Sequence, residues 1–136
     1  MNNPNPFHTL REMAAGYFLP RCLHVVADLA VADLLDETPR TAADLAAGVG
    51  AHPDALGRVL RLLSAYGVFE SQDDKFRHSP ASRLLRTDHP QSMRDFARMC
   101  GLAINWAASG QLDYSVRTGL PVPPAVPADL GRPGAG

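Results

Sequence analysis

Apolar positions along the chain recur mostly at helical spacing. Residues 8–18 place Leu10, Met13, Ala14, Tyr17 and Phe18 on one side of a first helix, which Pro20 ends or kinks. Residues 21–36 carry the strongest helical pattern. Leu23, Val26, Leu29, Ala30 and Leu34 form a stripe that Val25, Val31 and Leu35 widen. So wide a stripe predicts burial on more than one side: one side against the chain's own core, the other against a second subunit. We expect Leu23, Val26, Leu29 and Ala30 to form that dimer interface.

Thr41 is placed to cap the next helix, with Asp44 three residues on. Residues 42–47 form that short helix, and Gly48-Val49-Gly50 turns the chain. Pro53 suits a first helical turn, and residues 55–66 form a third helix with Leu56, Val59, Leu60, Leu62 and Leu63 apolar. Gly67 is placed as its C-terminal cap. The period then changes. Val68-Phe69-Glu70 and Lys75-Phe76-Arg77 are short strands around a polar turn at residues 71–74. Helix, tight turn, helix and β-hairpin make a winged-helix pattern, so the expected fold is mainly α with a small β-hairpin wing. Residues 80–85 form a helical turn with Leu84 and Leu85 inward. A further helix runs from Ser92 through Phe96, Met99 and Leu102 to Trp106, and a last one spans residues 111–117 and stops at Gly119.

Beyond Leu120 the helical period is lost. Residues 121–136 hold five prolines and three glycines, which predicts a disordered or loosely attached tail behind a domain of residues 1–120.

Composition narrows the function classes. The 136 residues are 46% apolar, enough for one packed core. Thirteen basic and 14 acidic residues give a net charge of -1, which argues against nucleic-acid binding through a strong overall field. The polar, proline-bearing N-terminus is not a signal peptide, and no apolar run spans a membrane, so a soluble cytoplasmic protein is expected.

Few residues suggest chemistry. His8, His24, His52, His78 and His89 are scattered, and no Cys/His cluster has metal-ligand spacing, so no metal is expected. His24, inside the long helix, reads as a satisfied core or interface histidine. Cys22 and Cys100 lie in apolar segments and read as free thiols. Arg58 and Arg61 would lie on the recognition helix of a DNA-binding winged helix. Two arginines and an acidic Asp73-Asp74 wing tip favour a solvated or salt-bridged face instead, with Asp54 or Glu70 as partner. No paired carboxylates and no Ser/His/Asp arrangement support catalysis by this chain alone.

The ordered succession of segments carries more information than any one of them. Leu29-Ala30-Val31-Ala32-Asp33-Leu34-Leu35 is followed by Thr41-Ala42-Ala43-Asp44-Leu45-Ala46. Next come Leu56-Gly57-Arg58-Val59-Leu60-Arg61-Leu62-Leu63, Gly67-Val68-Phe69 and Phe76-Arg77-His78-Ser79-Pro80. Leu84-Leu85 and the stretch from Leu112 to Pro121 complete the series. Taken in order over residues 10–121, these blocks resemble the N-terminal dimerisation domain of O-methyltransferases, as typified by plant caffeate-type and bacterial polyketide-tailoring enzymes.

The resemblance implies a homodimer interlocked through helices. It also implies a Rossmann-like C-terminal domain that binds S-adenosylmethionine in the full-length family. Met99, Trp106 and, less directly, Cys100 are implied as contacts to a small aromatic acceptor, although the same side chains read equally as ordinary core. Two departures matter. Ser109 stands where relatives often carry tryptophan, and the family-like sequence stops after Leu120-Pro121. Gly131 to Gly136 follows no strand and opens no helix, so it is no nucleotide loop. The chain by itself is therefore expected to bind no cofactor and to be inactive. Two alternatives are a small winged-helix DNA-binding regulator, for which salt-sensitive DNA binding would speak, and an aromatic or polyketide-binding protein without a methyl-donor site.

Overall fold

The computed structural model describes residues 5–123. Most of the proline- and glycine-rich segment read as a tail, residues 124–136, lies outside the described residues. The chain divides into two compact units, one ending at Arg98 and the other beginning at Met99.

The first unit opens with α1 (Pro6–Ala15). Asn5 caps it by accepting the Phe7 amide at 3.0 Å, and Pro6 supplies a preset φ in the first turn. The break that sequence placed at Pro20 falls earlier, at Gly16–Tyr17. Helix α2 (Phe18–Leu29) contains Pro20 as its third residue, where a backbone amide has no helical partner to lose.

Helix α2 does not run on to Asp36. Ala30 turns left-handed (φ 59°), its amide returns to the Val26 and Ala27 carbonyls, and residues Val31–Leu34 form a 3-10 turn. The continuous stripe of residues 21–36 misled here, because helix and 3-10 turn both direct apolar residues into one core. Cys22, His24, Val26, Ala27, Val31 and Ala32 are all buried.

Arg40–Thr41 form a short strand, β1, which sequence did not reveal. The Thr41 hydroxyl accepts the Asp44 amide at 3.1 Å and starts α3 (Ala42–Val49), as the capping pattern predicts. Gly50, left-handed at φ 72°, closes α3. Helix α4 (Pro53–Ala65) begins with Pro53, and its cap is His52, whose Nδ1 accepts the Ala55 amide at 3.2 Å. Gly57 allows α3 and α4 to approach closely, since a Cβ there would lie 3.3 Å from the Ala42 Cβ. Leu56, Leu60 and Leu63 face the core; Val59 and Leu62 are half-buried.

The hairpin follows as β2 (Glu70–Gln72) and β3 (Lys75–Arg77). Its first strand starts at Glu70 rather than Val68, because Phe69 itself is left-handed (φ 71°) and drives its ring into the core. The sheet is antiparallel in the order β1-β3-β2, with Phe76 opposite both Arg40 and Ser71. Phe69, Phe76, Leu35, Leu45, Leu60 and Leu63 are the largest fully buried apolar side chains. Each contributes about 1.5–3 kcal/mol of burial free energy.

Helix α5 (Pro80–Arg83) starts on a reciprocal cap between Ser79 and Ser82. Leu85 packs inward, while Leu84 stays half-buried. Helix α6 (Arg94–Cys100) is closed by Leu102, whose amide reaches the Met99 carbonyl at 3.2 Å. The predicted helix of residues 92–106 is thus two helices. The second unit carries α7 (Ala103–Gly110) and α8 (Leu112–Thr118), the latter capped by left-handed Gly119 as expected. A mainly helical chain with a small antiparallel sheet is the architecture anticipated.

Candidate functional site

Arginines from the end of the first unit secure the C-terminal end of α2. No basic residue lies in its last turn. Arg94 fills that place from α6, donating from Nε to the Ala27 carbonyl at 2.8 Å and from Nη2 to the Asp28 carbonyl at 3.3 Å. Arg98 pairs with the Asp28 carboxylate at 3.2 Å. Arg86 donates to the carbonyls of Ala32 and Leu35, and the Thr87 amide and hydroxyl both donate to Asp33. These bonds give the carbonyls of Asp28 and Leu35 partners and add second donors to those of Ala27 and Ala32, tying the end of α2 and the 3-10 turn to the later segment.

Apolar side chains lie exposed on α1 and α2. Helix α1 buries none of its residues, yet Phe7, Leu10 and Met13 are exposed at 80%, 68% and 77%. Their spacing of three lines one side of the helix, which Tyr17 and Phe18 extend. A ten-residue helix is marginal in water without tertiary support, and large apolar groups gathered on one side mark a contact surface. Along α2, Leu23, Leu29 and Ala30 are half-exposed, and Val25 is exposed. Val26 differs from expectation: at 1% exposure its side chain is committed to the chain's own core and has no surface left to offer. Sequence periodicity could not separate Val26 from Leu23, because three residues on a helix keep both on nearly one side. It also missed α1 as the more exposed apolar surface. The available signal was there: Leu10, Met13, Tyr17 and Phe18 keep helical spacing without a matching set that could cover them.

In the second unit Met99 is exposed, while Cys100 and Trp106 are half-buried. Met99 lies in the last turn of α6, Trp106 lies in α7, and Leu102 links them: its amide donates to the Met99 carbonyl, and its carbonyl accepts the Trp106 amide at 3.2 Å. The Asn105 side chain also donates to the Met99 carbonyl at 2.6 Å. Leu102, Ile104, Leu112, Val116 and Leu120 are exposed as well, and α7 and α8 bury none of their residues. This unit is a set of apolar helices with little core of its own.

The polar groups fall elsewhere. A recess of about 260 Å³ is lined by Asp36, Glu37, Glu70, Arg77, His78 and Arg83. Another of about 310 Å³ is lined by Pro39, Gln72, Asp73, Lys75 and Arg77. Neither includes Met99, Cys100 or Trp106. Arg58 pairs with Asp54 at 3.1 Å, the salt-bridged reading of that helix, and Glu70 pairs with Arg77 at 2.8 Å. His24 and His78 are both buried, and burial is the main cause that lowers the pKa of each. Burial raises the pKa of Cys22, so that thiol is held protonated. Among the described residues no three His, Cys, Asp or Glu side chains group as a metal site, and no helix is long and apolar enough to cross a membrane.

Among the described residues the three strands pair antiparallel, and β1 enters α3 directly through Thr41-Ala42, without a glycine-rich strand-to-helix turn.

Residues 11–88 match the family model of the O-methyltransferase dimerisation domain. The chain belongs to that family. Against the mitomycin biosynthesis 6-O-methyltransferase of Streptomyces lavendulae, the domain is 40% identical over 113 residues, covering 82% of this chain and 32% of that enzyme. Against the 8-amino-8-demethylriboflavin N,N-dimethyltransferase of Streptomyces davaonensis, identity is 44% over 100 residues, covering 73% and 29%. Among solved structures, a methyltransferase of calicheamicin biosynthesis bound to SAH superposes with a TM-score of 0.77 at 31% identity, covering 94% of this chain and 38% of that one. The chain thus spans about a third of the length of the relatives it matches. They are methyltransferases, which does not favour the DNA-binding and small-molecule-binding alternatives.

Proposed function

We propose that this dimerisation domain pairs with a second copy of itself through α1 and the outer side of α2, with Leu23, Leu29 and Ala30 at the join. Val26 supports that surface from beneath. The single observation behind this reading is that α1 buries nothing of its own while presenting Phe7, Leu10 and Met13 outward. An obligate dimer buries on the order of 2,000 Å² or more in total, and these uncovered apolar side chains would form part of such an interface. The function that follows is assembly of a methyltransferase subunit pair, not catalysis by these residues. S-adenosylmethionine would be held by another part of a full-length subunit.

Within that assembly, Met99, Cys100 and Trp106 would contribute to the acceptor side of the site. A flexible thioether and a flat indole suit a planar aromatic acceptor. All three lie at or near the α6–α7 junction. Residues 1–120 would act as the assembly domain.

Sedimentation equilibrium tests the pairing. The chain should be dimeric at micromolar concentration, and Leu10→Asp/Met13→Asp should be monomeric with a retained far-ultraviolet helical spectrum. A wild-type chain that stays monomeric at about 100 μM, a weak-binding concentration near −5.5 kcal/mol, would refute the reading.

A further inference from the structure

We infer that His78 is a proton-sensitive latch, tying the 3-10 turn to the hairpin while its ring is neutral and loosening that junction when it takes a second proton.

His78 follows β3 directly and is 7% exposed. Its Nε2 lies 3.2 Å from the Leu35 carbonyl, just past the 3-10 turn, and its Nδ1 lies 2.8 Å from the Ser82 hydroxyl. The Leu35 carbonyl can only accept, so Nε2 must carry the hydrogen. Nδ1 is then the acceptor of the neutral ring, and the Ser82 hydroxyl donates to it. Ser82 Oγ also accepts the Ser79 amide at 2.8 Å. Ser79 Oγ donates to the Gly67 carbonyl at 2.7 Å and accepts the amides of Phe69, at 3.1 Å, and Ser82. The chain of bonds therefore runs from the 3-10 turn to the left-handed Phe69, the one residue of the core whose backbone is held in a costly conformation.

A proton on Nδ1 changes this arrangement at one atom. Nδ1–H now donates to Ser82 Oγ, so the Ser82 hydroxyl hydrogen must turn from the ring to the Ser79 carbonyl, a longer contact of 3.2 Å. The new charge is also poorly compensated. From the turn side it meets Asp36 and Glu37, from the hairpin Glu70 and Arg77, and from the segment beyond β3 Arg83 and Arg86. The carboxylates are already engaged: Asp36 with Arg40, Glu37 with Arg83 and Glu70 with Arg77. Arg86 shares the Leu35 carbonyl with His78, so the imidazolium and a guanidinium would converge on one oxygen.

Burial first, then Arg83 and Arg86, lower the His78 pKa below its ordinary value, against the Leu35 and Ala32 carbonyls, which raise it. The unfolded chain then binds the proton more readily than the folded one. The stability the neutral ring contributes is complete above the unfolded histidine pKa, about 6.5, and falls as pH drops below it. His24 adds to acid sensitivity in the same direction, so the test must isolate His78.

Amide exchange, corrected for intrinsic rates, provides that test on the full chain between about pH 7.5 and pH 5.5. Protection at Phe69 and Leu35 should fall about tenfold over this range, while Leu60 in α4 falls no more than about threefold, because local opening precedes global unfolding. In His78→Gln this difference between sites should vanish. The inference is overturned if Phe69 and Leu35 track Leu60 at every pH, or if His78→Gln keeps the wild-type pH dependence.

Discussion

The centre of the first unit and α1 obey the same helical rules with opposite results. Between Val31 and Leu85 the chain closes on itself. Apolar side chains from the 3-10 turn, α3, α4 and the hairpin fill one core, and buried Ser79, Ser82 and His78 bond one another. Helix α1 is capped correctly by Asn5 and Pro6 and carries a His8–Glu12 pair at 3.2 Å, yet buries nothing. Local signals specify the helix but supply no cover for its exposed phenylalanine, leucine and methionine, which is the surface the proposed pairing would use.

The sharpest way to break this comparison is a matched pair of truncations. Leu60→Ala removes a fully buried side chain and should cost about 2–5 kcal/mol of unfolding free energy, measured by urea denaturation. Leu10→Ala, at an exposed position, should change the stability of the monomer by less than about 0.5 kcal/mol and act on self-association instead. Equal losses at both sites would erase the distinction between core and contact surface.

The arginines that hold α2 come next in size. Arg94→Ala leaves two carbonyls, of Ala27 and Asp28, without their guanidinium donor, and should cost about 1–3 kcal/mol. Arg94→Lys should recover only part, because one ammonium cannot reproduce a planar fork. Ala30→Gly should have the opposite sign. Ala30 is left-handed at the end of α2, a conformation costing a residue with a Cβ about 1 kcal/mol, and glycine should restore that amount as a higher melting temperature.

Legibility in the sequence follows the same division. The helix α3, the start of α4 and the hairpin were readable because each carries its own local signal: Thr41 before Asp44, Pro53 at a first turn, and two apolar residues flanking Asp73-Asp74. The break at Ala30 was not readable, since alanine favours helix and left-handed backbone there is imposed by packing and by Arg94, which is distant in sequence. β1 escaped because two residues carry no period. His78 stood among scattered histidines, because a buried network is assembled from residues 35, 67, 69, 79 and 82, which only the fold brings together. Surplus hydrophobicity in the apolar helices was legible, but not which residues remain exposed. That depends on which side the core claims, and it claimed Val26.

The smallest effect tests the hairpin itself. Asp73 and Asp74 are both left-handed, at φ 52° and 62°, and form the two-residue turn between Gln72 and Lys75. This is the type I′ geometry that favours Asn or Asp followed by Gly. Asp74 pays the steric cost of a Cβ at the second position and adds a second carboxylate to the tip. Asp74→Gly should therefore raise stability by about 0.5–1 kcal/mol, and Asp74→Ala, which keeps the Cβ, should raise it by less or lower it. Urea midpoints at unchanged slope would read the difference. If glycine and alanine had the same effect, the gain would come from charge alone and the turn would not be left-handed at Asp74. The pairing of Ser71 with Phe76, which seats that ring in the core, would then need another origin.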